Sequence, residues 1–293
     1  MTHPTITVAI CTYNRAELLR ETLATWTTQT VDAAHFTVLI VDNNSTDHTQ
    51  EVSEWYTARH SNFKYVLETK QGVSNASNTA IAACQTEWLA YVDDDAKAHS
   101  DYIEVALEII ANYKFDAFGG LYLGWYKYGK PFWFPDELSH NRNGKPTTIM
   151  VLEDGYLSGS NMIFKKDLLV RIGGFDPTVG MIGTRIVYGK ETYLQNKFRE
   201  AGGVIGFVPH LVVDHVVNKH KLRPSWILDM EFAQGRDYWA YNDLKPSLAR
   251  YIRIAGKRYL RLITDKQKLY ARFVGVFRAS WFAFGLMRTL LKS

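Results

Sequence analysis

The chain has 293 residues, 46% hydrophobic and 22% charged, with 8 prolines and 2 cysteines; this is enough to bury a sizeable core and excludes disordered, collagen-like and disulfide-stapled classes. The net charge of +4 is unevenly spread, because residues 245–293 carry 12 Lys and Arg against one acid, which puts +11 there and −7 on residues 1–244. An acidic body with a basic end suits an anionic surface bound by that end, and without a recognition motif it excludes nucleic acid as a partner. Cys11 and Cys84 sit in apolar runs without metal-ligand spacing and read as buried thiols of a reducing compartment. Residues 1–5 lack the basic-then-apolar pattern of a secretory signal.

In chain order, residues 5–11 (TITVAIC) predict a first strand, interrupted by Thr12, Tyr13, Asn14 and Arg15. Leu18, Leu19, Thr22, Leu23 and Trp26 then recur at helical spacing. Residues 36–41 predict a second strand ending at Asp42, Asn43, Asn44 and Ser45, residues 64–67 a third, and residues 75–84 a small-residue helix. A fourth strand, residues 88–92, runs into Asp93, Asp94 and Asp95. Alternating strands and helices describe a parallel sheet covered on both faces, whose ligands bind beyond the carboxyl ends of the strands. The clusters after strands one, two and four are therefore expected at one edge. Three consecutive acids repel one another unless a cation compensates them, so this edge is a candidate divalent-metal site; the competing reading is an acidic solvated loop. Neither GxxxxGK[ST] nor GxGxxG is present. What remains is a pocket where Asp and Asn side chains hold a nucleoside and a metal carries its phosphates.

Beyond it, residues 101–113 predict a helix and 119–125 a strand. Residues 125–133 hold two Trp, two Tyr and one Phe, so Trp133 is a candidate sugar-stacking residue or simply a core one. Residues 135–146 are breaker-rich and read as a flap. Gly159, Ser160 and Asn161 interrupt an apolar strand, and Gly173 to Pro177 form a turn containing Asp176. Residues 178–189 read as a flexible loop or an ordinary surface connection. Glu191 falls in the first turn of a helix that stops at Gly202, where a dipole-matching acid is expected on any helix. His215 lies in a strand-like run, residues 211–217, and reads either as a packed core residue or as a ligand with Asp214 to orient it.

The ordered set CTYNR, VDNNSTD, QGVSNASN, YVDDDA, LSGSNMIF, GGFD and the Glu191 segment resembles glycosyltransferase family 2, the inverting sugar-nucleotide enzymes of bacterial cell-surface glycans. The resemblance covers about residues 5–241. It implies an α/β GT-A fold, Rossmann-like, with a mostly parallel central sheet flanked by helices. Thr12, Tyr13, Asn14, Arg15, Asp42, Asn44, Asn75, Asn78, Asp93 and Asp94 would bind the nucleotide and donor. Asp93 and Asp95, with His215, would hold Mn²⁺ or Mg²⁺. Gly159, Ser160, Asn161, Asp176 and Trp133 would line the acceptor side, and Glu191 would be the general base. Two departures stand out: Ser77 occupies a position where the family often has Arg, and Lys190 replaces the first acid of an acidic pair.

The resemblance divides the chain into a catalytic domain, residues 1–244, with a nucleotide half (about 1–100) and an acceptor half (about 101–244). A QGR turn is expected within residues 226–241. The C-terminal helical basic appendage, residues 245–293, carries two arginines in its last apolar stretch and suits helices lying on an anionic membrane rather than crossing it. A hairpin packed on the body, or a homodimer contact, is the alternative. The resulting expectation is a metal-dependent transferase, peripheral at the cytoplasmic face of the membrane, moving a sugar from a nucleotide-diphosphate sugar (a UDP-sugar first) to a glycan or lipid-linked acceptor. A sugar-nucleotide nucleotidyltransferase and a catalytically silent scaffold are the alternatives.

Overall fold

The computed structural model describes residues 5–132, 134–135, 138, 140–141, 145–181, 187–242, 244–264 and 269–291. Trp133, half of the expected flap (136–137, 139 and 142–144) and residues 182–186 of the loop before Glu191 lie outside the described residues.

The first half alternates strand and helix: β1 (Ile6–Thr12), α1 (Ala16–Trp26), β2 (Phe36–Asp42), α2 (Thr49–Thr57), β3 (Phe63–Leu67), α3 (Val73–Ala83) and β4 (Trp88–Tyr91). All pairings among these strands are parallel, in the order β3-β2-β1-β4. The residues of β1, β2 and β4 are buried on both faces, as the inner strands of a parallel sheet require, while the edge strand β3 buries only Phe63. In β1, Ile6, Val8 and Ile10 pack with Leu19 and Leu23 of α1 and Val52 of α2. The alternate Ala9 faces Ala76 and Ala80 of α3.

Beyond β4 the sheet becomes mixed. It continues through β8 (Met162–Lys165), β6 (Ala117–Trp125), β9 (Ile205–Val216) and β5 (Ala96–Ala98), with β7 (Met150–Val151) also on β9. β8 is antiparallel to both β4 and β6, and β5 and β7 are antiparallel to β9, whereas β6 and β9 run parallel. The parallel expectation thus describes the first four strands. Beyond them antiparallel pairs alternate with the parallel β6–β9 pair, which α5 and α6 separate in the chain. Helices α4 (Tyr102–Asn112), α5 (Lys166–Arg171) and α6 (Lys190–Glu200) cover the sheet. Gly159, Ser160 and Asn161, expected inside a strand, form the turn that enters β8.

The C-terminal part is helical: α7 (Pro224–Tyr241), α8 (Leu248–Thr264) and α9 (Leu269–Leu290). The QGR segment is not a turn; Gly235 lies inside α7. A Cβ there would stand 1.9 Å from the Phe282 carbonyl oxygen of α9, and one at Gly285 would stand 2.0 Å from that of Phe232 on α7. Glycine in each helix lets the two backbones touch. Glu231 of α7, fully buried, pairs with Arg258 of α8 and with Nε of Arg278 of α9, the latter at 2.7 Å. The hairpin packs on α7, and among the described residues no helix is long and apolar enough to cross a membrane.

Candidate active site

The three polar clusters converge because β1, β2 and β4 are adjacent, parallel and end together. Asn14 adopts a left-handed conformation (φ 52°), which suits asparagine. Its Oδ1 accepts from the Thr46 N–H at 2.7 Å, and its own N–H donates to Ser45 Oγ at 2.9 Å. Asp42, 2% exposed, accepts from the Ser45 N–H at 2.9 Å and the Tyr65 hydroxyl at 3.0 Å. Burial first, and then the Asp42 charge, push the Tyr65 phenol up to about 12. Asn43 clips the next connection, accepting from the Gly72 N–H and donating to the carbonyls of Glu68 and Lys70.

The acids divide their work. Asp94 turns toward β1 and α1: Thr12 Oγ1 and Arg15 Nη1 each donate to it at 2.8 Å, and Thr22 Oγ1 holds its carbonyl at 2.8 Å. Burial pushes its carboxyl up to about 6, opposed by Arg15 and reinforced by Asp95. Asp95, also buried, faces His215 Nε2 at 3.1 Å, Asn218 Nδ2 at 3.3 Å, Arg15 Nη1 at 3.4 Å and Lys221 Nζ at 3.6 Å. Burial raises its carboxyl, but His215 and Lys221 outweigh this and hold it well below the usual carboxylate range. Asp93 is half-exposed; it accepts from Ser160 Oγ at 2.7 Å and lies 3.9 Å from His215 Nε2.

The β5–β9 register places Ala96 opposite His215 and so brings the imidazole to the acids. Asp214 is not its partner. Neighbours on a strand point to opposite faces, and Asp214 instead meets His99 Nε2 at 3.4 Å. Asp93, Asp95 and His215 offer one ligand atom each, all within 4.8 Å of one another. Two carboxylates and an imidazole fit a divalent ion such as Mn²⁺, whereas an all-oxygen set would favour Mg²⁺.

Glu191 reaches the same place from α6. A Cβ added to Gly159 would stand 2.5 Å from Glu191 Oε1, so the carboxylate rests on the turn whose next residue, Ser160, touches Asp93. Lys190 Nζ lies 3.5 Å from Glu191 Oε1.

Other expected residues are engaged elsewhere. Asn161 is fully buried; it donates to the carbonyls of Leu121 and Leu211 and accepts from the Tyr102 hydroxyl. Its side chain is thus committed to joining β6, β9 and α4. Asn78 exchanges both amide groups with the Phe175 backbone at 2.8 Å. Asn75 donates to the carbonyl of Gln71 at 3.0 Å. Asp176 closes its own turn on Thr178. Asn44 is exposed at the rim with φ 64°, and Tyr13 is half-buried. Asn218 and Lys221 gather at Asp95 without any motif that singles them out; their signal is a polar, basic run just past a strand end.

Residues 7–173, more than half the chain, match the sequence profile described as Glycosyl transferase family 2. The chain belongs to glycosyl transferase family 2. This family 2 glycosyltransferase is 26% identical to Glycosyltransferase AglE of Haloferax volcanii, over 80% of its own length and 73% of the relative's. It is 24% identical to a glucosyl-dolichyl phosphate glucuronosyltransferase of the same organism, over 78% and 75% of the two chains. Among solved structures it resembles the mannosyltransferase PcManGT of Pyrobaculum calidifontis in complex with GDP-Man and Mn²⁺, with TM-score 0.65, 18% identity and coverage of 99% and 88%. It also resembles S. aureus TarS 1–349 in complex with UDP-GlcNAc, with TM-score 0.58, 14% identity and coverage of 99% and 92%. At such identities the structural likeness establishes the fold, which is GT-A.

Proposed function

We propose that this glycosyltransferase moves a sugar with inversion from a nucleotide-diphosphate sugar to a hydroxyl of a glycan or lipid-linked acceptor, with Glu191 as general base. The observation that supports the reading is the turn 158–161, against which the Glu191 carboxylate packs at Gly159 while the next residue, Ser160, donates to Asp93. In an inverting displacement the acceptor oxygen attacks the anomeric carbon from the face opposite the departing diphosphate. The hydroxyl loses its proton as the bond forms, so a carboxylate must stand within hydrogen-bond reach on that face. Glu191 fills this role. Asp93, Asp95 and His215 would hold Mn²⁺ or Mg²⁺, whose charge offsets that of the diphosphate. Asp42, Thr12, Tyr13, Asn14 and Asn44 line the nucleoside side, while Asp94 and Arg15 stiffen the acid loop. Asn78 and Asn161 serve by fixing the walls.

A UDP-sugar is the first donor to test, because the related TarS structure holds UDP-GlcNAc; GDP-Man in PcManGT makes a GDP-sugar the second. We also assign residues 1–244 to the catalytic unit and 245–293 to a basic appendage at an anionic, cytoplasmic membrane face. Glu191→Gln keeps size and polarity but cannot take a proton. It should lower transfer roughly 10²- to 10⁴-fold while nucleotide-sugar affinity, read by calorimetry, stays within about twofold. Equal loss of binding and turnover would remove Glu191 from the role of base.

A further inference from the structure

Lys190 is placed where a cation is disfavoured. It is the first residue of α6, so the positive end of the helix dipole opposes its charge, and its side chain is only 12% exposed. Its polar neighbours are distant: Ser77 Oγ at 3.4 Å and Glu191 Oε1 at 3.5 Å. Both lie beyond the 2.7–3.2 Å of a good N–H···O bond. The ring of Phe175, 5.1 Å from Nζ, closes another side with a surface that attracts a cation and cannot accept a conventional hydrogen bond. Among the described residues the ammonium, with three donors, thus meets only long polar contacts, beside the proposed base.

We propose that Lys190 binds a carboxylate on the transferred sugar, so that the donor class is a nucleotide-activated uronic acid. This rests on the reading of the chain as an inverting transferase with Glu191 as base. In such a displacement, base and leaving diphosphate lie on opposite sides of the anomeric carbon. A cation 3.5 Å from the base thus stands on the sugar side, away from the leaving group. Near the acids, Arg15 and Lys221 already supply positive charge where the diphosphate leaves. Ser77, the other neighbour of Lys190, belongs to α3 in the half of the sheet that bears the nucleoside loops, which favours the donor sugar over the acceptor. A neutral hexose would leave Lys190 with the same long contacts; a carboxylate gives it a charge-assisted partner.

The test uses the full chain with Mn²⁺ and calorimetric titration of two matched pairs, UDP-glucuronate against UDP-glucose and GDP-mannuronate against GDP-mannose. UDP and GDP alone are titrated in parallel. In at least one pair the uronate should bind roughly 10- to 100-fold tighter than the neutral sugar. Lys190→Gln should bring that ratio close to one without weakening the nucleotide alone, and Lys190→Arg should keep most of it. Equal affinity for both members of each pair in the wild-type protein would overturn the proposal. So would weakening of UDP or GDP themselves by Lys190→Gln, which would put the cation on the diphosphate. Binding and turnover of neutral donors only would overturn the uronate assignment and leave the transferase reading standing; binding of no nucleotide sugar would defeat both.

Discussion

A methyl group at position 159 would stand 2.5 Å from Oε1 of Glu191 and 3.0 Å from its Cδ, closer than any side-chain carbon sits in practice. No left-handed backbone is involved here, so alanine fits the chain itself and meets only the carboxylate. Gly159→Ala should therefore push Glu191 away with little effect on folding. A displacement of about 1 Å in a catalytic group lowers rates roughly 10²-fold. The expected result is that loss in transfer with an unchanged circular dichroism spectrum; full activity would mean that Glu191 has freedom the packing denies it. The acid cluster permits a separate check. With His215 and Lys221 already facing Asp95, the site can hold its charge without an ion, so a chelator should leave the fold intact. It should, however, abolish the rise in melting temperature that a donor nucleotide produces in Mn²⁺, because ligand binding stabilises only the state that binds. A nucleotide-induced shift that survives the chelator would remove the metal from donor binding.

Glu231 shows how a helix can be fixed by charge. Its fully buried carboxylate joins α7 to Arg258 of α8 and Arg278 of α9, and Trp239 Nε1 donates to the Leu286 carbonyl at 3.1 Å farther along. Breaking a buried ion pair from one side strands the remaining charge and costs about 3–5 kcal/mol. Glu231→Gln should lower the denaturant midpoint accordingly, whereas replacing Glu231, Arg258 and Arg278 together by apolar residues of similar volume should recover most of the loss. If Glu231→Gln leaves the midpoint in place, the triad is not what holds the hairpin. Neither this triad nor the Gly235–Gly285 contact was legible in the sequence, since both depend on which helix faces which. The first half was legible for the opposite reason. β1 and β2 are short β-branched runs each followed by a helix, β4 is a short apolar run, and parallel pairing then forces Thr12, Asp42 and Asp93 to one edge. Asn78 and Asn161 looked like ligand-binding residues because a polar side chain among small or apolar neighbours can serve either a ligand or a backbone. The sequence does not reveal that Phe175, Leu121 and Leu211 present the backbone groups they meet.

The charge division between residues 1–244 and 245–293 acquires a geometry once the hairpin is packed. On α8, Arg250, Arg253 and Lys257 are exposed beside the exposed Leu248, Ile252 and Leu260. On α9, Phe277 and Phe284 stand seven residues apart and are also exposed, as is Leu291 just past its end. Packing on α7 has thus used the inner faces and left apolar and basic groups outward, the composition of a helix that lies on an anionic lipid surface. Removing residues 245–293 is a poor test of that surface, because it would also strip Glu231 and Trp239 of their partners. Charge reversal of Arg250, Arg253 and Lys257 to Glu leaves Arg258 and Arg278 in place and so spares the hairpin. Each basic residue near an anionic surface contributes about 1 kcal/mol, so losing three and adding three acids should weaken co-sedimentation with phosphatidylserine-containing vesicles by at least roughly 100-fold. The same loss should appear for the wild-type protein in high salt, where charges beyond a Debye length are screened. Turnover of a water-soluble acceptor should be unaffected, because the reversed residues lie on the exposed side of α8. Co-sedimentation that ignores both the reversal and the salt would leave the outward apolar residues as a contact between copies of the chain, to be read from its sedimentation velocity.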